Sequence, residues 1–228
     1  MKTILYTAFV LGLLLPGSVY AASPTVVELY QSQGCSSCPP AIANVNAIVD
    51  RPDILALTFA VTYWDQLGWK DTFASPAFTA RQYDYAHGLG HRGVYTPQVV
   101  INGRSDLVGA ARGELNNAVA HAAPVTGPAL SREQDRILVS GVAPKPDAKA
   151  DVWLVRYDPR TLNVPIGAGE NNGVTIAHRN VVRGLVRLGT WSGAAQSFAL
   201  PQDGDPAWRA AILVQAKNGG PILAALKL

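Results

Sequence analysis

The sequence predicts an α/β first domain followed by an antiparallel β-rich, sandwich-like second domain. Two observations carry this. The apolar run Val26–Tyr30 leads into Cys35-Ser36-Ser37-Cys38 and an apolar-periodic segment, and a second apolar run follows at Ile54–Thr62. That is a β-α-β start, parallel and right-handed by the usual crossover rule. Beyond Pro124 and Pro128 the chain changes character, and short strand-like runs separated by Gly, Pro and Asp replace helical periodicity. Evenly spaced short strands without helices form sandwiches or small barrels.

The elements follow in order. Val26–Tyr30 is apolar on both faces apart from Glu28, as suits a strand in the middle of a covered sheet. Ser37 is placed to cap the next helix. Cys38, Pro39 and Pro40 then fill its first turn, where proline costs little because those N–H groups have no intrahelical acceptor. Ala41, Val45, Ile48 and Val49 give that helix its apolar face, and Arg51-Pro52 ends it. The stretch holding Tyr63, Trp64, Trp69 and Phe73 carries too much Asp, Gly and Lys to be regular. Ser75-Pro76 opens a second helix along Phe78, Arg81, Gln82 and Tyr85, closed by Gly88-Leu89-Gly90. Asn102-Gly103 turns Gln98–Ile101 into Ser105–Val108, and a helix over Ala110–Ala122 ends the first domain, residues 22–123. In the second, residues 124–228, strands are expected at Arg136–Val142, Asp151–Tyr157, Val181–Leu188, Gln196–Leu200, Ala210–Ala216 and Ile222–Leu226. Ala143-Pro144-Lys145-Pro146-Asp147 is a turn, and Asn218-Gly219-Gly220 joins the last two strands in a hairpin that could equally extend the first domain's sheet.

Residues 1–21 read as an export signal: Lys2, an apolar core from Ile4 to Leu15, the break at Pro16-Gly17, and small residues ending at Ala21. The mature chain is therefore expected in the periplasm, cleaved near Ala21. The signal's apolar run is short for a membrane span, and no later segment spans one. The formal charge is +3, of which Lys2 supplies one, and the charges are mixed along the chain. Nothing favours nucleic acid or acidic lipid as a partner. No dinucleotide-type glycine motif occurs, so no cofactor is expected.

Chemistry concentrates at Cys35 and Cys38, the chain's only cysteines. The free N–H groups and dipole at a helix start stabilise a thiolate. Cys35 is the candidate nucleophile, expected to be the more exposed of the two, and Cys38 the resolving thiol. Ser36 and Ser37 add no formal charge. Three readings stay open: thiol–disulfide exchange through a Cys35–Cys38 disulfide, a permanent staple made by the same bond in a non-catalytic module, and a copper-handling site. Two thiolates are half a tetrahedral zinc site and no His is near in sequence. His87 and His91 are separated by Gly88 and Gly90, which break the helix that would align them. No metal site is assigned.

The Cys-x-x-Cys segment with its strand and helix resembles the thioredoxin superfamily. Thr96-Pro97, followed by Gln98-Val99-Val100-Ile101-Asn102-Gly103, matches that superfamily's proline–strand–turn element. The resemblance implies a thioredoxin-like first domain, a cis Pro97 facing the thiols, and substrate binding by Thr96 and Pro97. It gives Glu28 the place of a proton relay, though its spacing to Cys35 differs. Gly34–Ala41, Tyr63-Trp64-Asp65, Gly68-Trp69-Lys70-Asp71 and Tyr95–Gln98, with Gly169-Glu170-Asn171 and Asn180–Arg183, resemble an exported family catalogued as domain of unknown function 1223. Trp64 and Trp69 are expected either to cover the thiols or to form a satellite core. Glu170, Asn171, Asn172, His178 and Asn180 form a polar stretch suited to turns or to ligand contacts. The expected partner is a cysteine-containing protein or peptide, with the second domain positioning it or a second copy of the chain.

Overall fold

The structure is a computed structural model that describes residues 23–141 and 149–228. The export segment and the Ala143–Asp147 turn lie outside the described residues. In chain order the elements are β1 (Thr25–Gln31), α1 (Cys38–Asn46), β2 (Ile54–Ala60), a 3-10 turn at Asp65–Leu67, α2 (Pro76–Gly88), β3 (Gln98–Ile101), β4 (Ser105–Leu107), α3 (Arg112–Ala120), β5 (Ala129–Glu133), β6 (Arg136–Ser140), β7 (Ala150–Asp158), β8 (Leu162–Pro165), β9 (Thr175–His178), β10 (Val181–Trp191), β11 (Gln196–Ala199), β12 (Arg209–Ala216) and β13 (Ile222–Lys227). No helix among the described residues is long and apolar enough to cross a membrane.

These elements make a mixed α/β molecule built on one large sheet of eight strands, ordered β13-β12-β7-β10-β2-β1-β3-β4. β1 and β2 run parallel, Thr25 beside Ile54 through Gln31 beside Ala60. β3 joins β1 antiparallel, with Glu28 beside Val100. Side chains alternate across β1, so each face feeds a different core. Val27 and Leu29 point towards α1 and α3, where they meet Ala41, Ile42, Val45, Leu115, Val119 and both cysteines. Val26 and Tyr30 point the other way and pack with Phe78 and Tyr85 of α2. Each large apolar side chain buried in this way contributes about 1.5–3 kcal/mol.

Four of the later strands join the first half's sheet. Val181 of β10 pairs with Thr58 of β2 in parallel, and β7, β12 and β13 extend the sheet from there by antiparallel pairing. Antiparallel pairing and the closing hairpin match the sequence expectation. The sandwich-like layer is the small β11-β6-β5 sheet. It packs Ile137, Val139 and Phe198 against Val152, Leu154, Ile212 and Val214 of the large sheet. Gly219 shows how closely the closing turn meets the first half: a Cβ there would lie 1.9 Å from the Asp84 carbonyl oxygen on α2, and its φ is +67°.

Two elements were not expected from the sequence: β5, and the β8–β9 hairpin, which forms a sheet of its own. The hairpin lies on α1. Asn46 donates to the Ala177 carbonyl at 2.7 Å and accepts from the Arg179 amide at 3.1 Å. Ile166 and Ile176 complete the core that holds the cysteines. The α2 start is as expected, with Ser75 Oγ accepting from Ala77 N–H at 3.3 Å and Pro76 in first position. Ser37 differs. It occupies the cap position of α1, but its side chain makes no cap hydrogen bond.

Candidate active site: the Cys35–Cys38 turn

The turn between β1 and α1 is built by short-range main-chain bonds. Cys35 N–H donates to Ser32 C=O and Cys38 N–H to Cys35 C=O, each at 3.1 Å. Asp71, from the aromatic stretch, accepts from Gln33 N–H at 2.7 Å and from Phe73 N–H at 2.8 Å. Trp69 Nε1 donates to Gln33 Oε1 at 2.9 Å. Burial pushes the Asp71 carboxyl up to about 6, against the pull of those amides. Asp71→Ala leaves two main-chain donors unsatisfied beside the thiols and is expected to cost about 2 kcal/mol, read from the urea midpoint at unchanged slope.

Both cysteines are free thiols here, and both are buried with no exposed surface. The expectation that Cys35 stands more exposed is therefore corrected: Trp69, one of the two tryptophans expected as a cover, and the β8–β9 hairpin, which local sequence does not reveal, pack over the turn. The Cys35–Cys38 bond is not formed in this structure. Chemically the two sulfurs are opposites. The Cys38 S–H pointed at Cys35 stabilises a Cys35 thiolate, and Ser37 and Thr96 hydroxyls add to it. Together they outweigh burial and bring Cys35 down to about 6. Ser37 Oγ lies 3.3 Å from Cys35 Sγ, which is where the missing helix cap has gone. Burial, and then the neighbouring Cys35, push Cys38 up far beyond the ordinary thiol range.

The Thr96 hydroxyl reaches the thiols, and Pro97 follows it in sequence. Their peptide bond is cis, Pro97 is buried, and the buried, otherwise unpaired Thr96 hydroxyl favours the thiolate of both cysteines. Tyr63 also joins the site. Its hydroxyl donates to Gln82 Oε1 at 3.2 Å, and Gln82 in turn donates to the Tyr95 carbonyl at 2.7 Å.

Glu28 does not join them. It alternates with Val27 and Leu29, so it faces the α2 side of the sheet, away from the cysteines. There it is buried in a two-pronged ion pair with Arg81 at 2.9 and 3.0 Å and accepts from Tyr30 and Tyr85 hydroxyls. The relay role expected of it is corrected on that ground. Trp64 and Trp69 are half-buried against the cysteine-containing core, and Trp64 also touches the core on the other face. Among the described residues no three His, Cys, Asp or Glu side chains gather as a metal site; His91 pairs instead with Asp106 at 3.0 Å.

Sequence reasoning marked Gly169-Glu170-Asn171 as a motif without placing it. Its place is on the thiol turn. Asn171 is buried, and its amide donates to Gln33 C=O at 2.8 Å and Cys35 C=O at 2.9 Å. Glu170 accepts from Ser36 N–H at 3.0 Å, and that bond holds its carboxyl below the usual range. The family resemblance and a polar composition were the only signals, and neither gives a place, since the contacts span more than 130 residues of chain.

The chain is similar to a crystal structure of protein AGR_C_4864 from Agrobacterium tumefaciens, with 30% identity, coverage of 91% of this chain and 95% of that one, and a TM-score of 0.71. It is also similar to HBP35 of Porphyromonas gingivalis, with 12% identity, coverage of 91% and 75%, and a TM-score of 0.55. At that identity the second likeness concerns the fold alone. No curated protein matched. Residues 26–215 match a family profile that spans the thiol turn, the Thr96-Pro97 loop and the Glu170–Asn171 turn alike, and the chain belongs to that family, described as protein of unknown function (DUF1223).

Proposed function

We propose that this protein carries out thiol–disulfide exchange on cysteine-containing proteins or peptides in the periplasm, on a thioredoxin-like first half. The reading rests chiefly on the split between the two sulfurs: Cys35 is held as a thiolate near neutral pH and Cys38 is held as a thiol. A β-α-β unit with the thiols at its turn, followed by the β3–β4 hairpin and α3, supports the thioredoxin-like reading.

The reaction balances without a cofactor. Cys35 thiolate attacks one sulfur of a substrate disulfide, a Cys35–substrate bond forms, and the other substrate sulfur leaves as thiolate and takes a proton from water. Cys38 then loses its proton to solvent and attacks Cys35 Sγ. The Cys35–Cys38 bond forms, the second substrate sulfur departs, and the protein ends oxidised by two electrons. The same steps reversed oxidise a dithiol.

Cys38→Ala is expected to accumulate mixed disulfides with periplasmic proteins, because attack survives and resolution does not. Cys35→Ala is expected to trap far fewer. Equal trapping by both variants in a non-reducing gel would sink the assignment. The complete burial of both sulfurs favours a second reading, an inert staple of the β1–α1 turn. A reduction potential below about −300 mV is typical of structural bridges and would favour it.

A further inference from the structure

We infer that the Gly169–Asn171 turn determines which disulfides reach Cys35, admitting those carried on extended, flexible polypeptide. The inference rests on the exchange reading and deepens it. Cys35 has no exposed surface, so no disulfide can line up with its sulfur until something moves. β1, α1 and the residues flanking Pro97 are anchored in the large sheet or its cores. The tip of the β8–β9 hairpin is not. It lies at the end of a two-stranded ribbon closed by main-chain bonds from Ile166 N–H to Val174 C=O and from Gly173 N–H to Ile166 C=O, each at 2.8 Å. It carries Gly167, Gly169 and Gly173, the latter two at φ +73° and +82°, and it rests on Trp69, whose Cβ would be 3.2 Å from a Cβ at position 169.

The contacts it makes identify what replaces it. Asn171 supplies an N–H pair to the carbonyls of Gln33 and Cys35, and Glu170 supplies an acceptor to the N–H of Ser36. These are the groups an extended backbone would offer: N–H to carbonyl and C=O to amide along successive residues. The tip occupies the thiol turn in the manner of a bound peptide. A peptide strand that displaces it can offer donors and an acceptor of the same kind. A small disulfide cannot, and a disulfide fixed in a folded surface brings bulk against Trp69 and the hairpin. None of the tip's hydrogen bonds goes to a sulfur. Displacement therefore leaves intact the Cys38, Ser37 and Thr96 groups that stabilise the Cys35 thiolate.

The test uses the reduced full chain, with iodoacetamide alkylation followed by mass against pH. Asn171→Ala is expected to label about tenfold faster, the effect of two ordinary hydrogen bonds, with the same titration midpoint. Glu170→Ala, an exposed change that spares the fold if Asn171→Ala does not, is expected to label a few-fold faster. In exchange, the wild type is expected to prefer a disulfide-linked dimer of an unstructured peptide over glutathione disulfide by about tenfold, from bonds of the same kind, and the variants to exchange faster with both. Wild-type Cys35 labelling as fast as free cysteine at equal thiolate fraction would overturn the inference, as would unchanged rates in both variants. Faster labelling in the variants with no exchange on either disulfide would leave the gate standing and remove the exchange reading.

Discussion

Arg81→Ala is expected to cost about 3–5 kcal/mol of folding stability, the usual penalty for stripping one partner from a buried ion pair. Arg81 and Glu28 are 5% and 1% exposed. Removing the guanidinium leaves a carboxylate inside the sheet–α2 core with only the Tyr30 and Tyr85 hydroxyls to receive it. It also deletes the contact of Arg81 with Gln215 of β12 at 2.9 Å and its stacking on Phe59, Tyr85 and Trp153. Those partners come from both halves of the chain, so the loss is expected to unfold them together, in one urea transition moved to lower concentration. Glu28→Gln is expected to cost less, because the amide keeps an acceptor for Arg81 and the tyrosines. Replacing both members, Glu28→Met with Arg81→Met, should recover much of the single-variant loss, since a packed apolar pair needs no charge compensation. A double variant as unstable as Arg81→Ala would show that packing shape, not the stranded charge, sets the cost. Cys35 reactivity should be little changed in any folded variant, because the network lies on the face away from the thiols.

The second large effect is on the pH dependence of the reduced protein. In the folded chain Cys35 titrates at about 6, against about 8.5 for an unfolded thiol. Between those values the unfolded state binds more protons, so stability rises with pH. The gain is lost as pH falls through about 6 and is complete at about 8.5. It amounts to ~2 kcal/mol after discounting for solvent screening. Above about 8.5 Cys38 acts in the opposite sense: burial keeps its proton in the folded state while the unfolded chain releases it. Reduced protein is therefore expected to gain stability towards pH 8 relative to the oxidised form, which has no free thiol and keeps only the contributions of other groups such as Asp71 and His178. Thermal melts of both forms at pH 5, 6.5, 8 and 9.5 would show it. Parallel profiles for the two redox forms would mean that Cys35 is not activated, and the exchange reading would go with it. Cys38→Ala should move the Cys35 midpoint upward, since the Cys38 S–H is the largest single stabiliser of that thiolate.

Local pattern determined a good deal about this protein. The apolar runs of β1 and β2, the proline-tolerant start of α1, the Ser75-Pro76 start of α2 and the Asn102-Gly103 turn each follow from neighbours a few residues apart, and the structure has them. It also has the thiols at a strand-to-helix turn. Strand direction fixed the rest. A run such as Val181–Leu188 shows that a strand exists, but whether it starts a new sheet or adds to β2 depends on a pairing across more than 120 residues. The face occupied by Glu28 follows from which side of β1 each core takes, and the spacing to Cys35 does not reveal it. Asn171 is the clearest case. As a sequence it is one polar residue among several near three glycines. Only the packing of the β8–β9 hairpin on α1 brings its amide to the Gln33 and Cys35 carbonyls. Hydrogen bonds between distant segments form because burial leaves main-chain groups that must find a partner, and which partner arrives is decided by the tertiary fold alone.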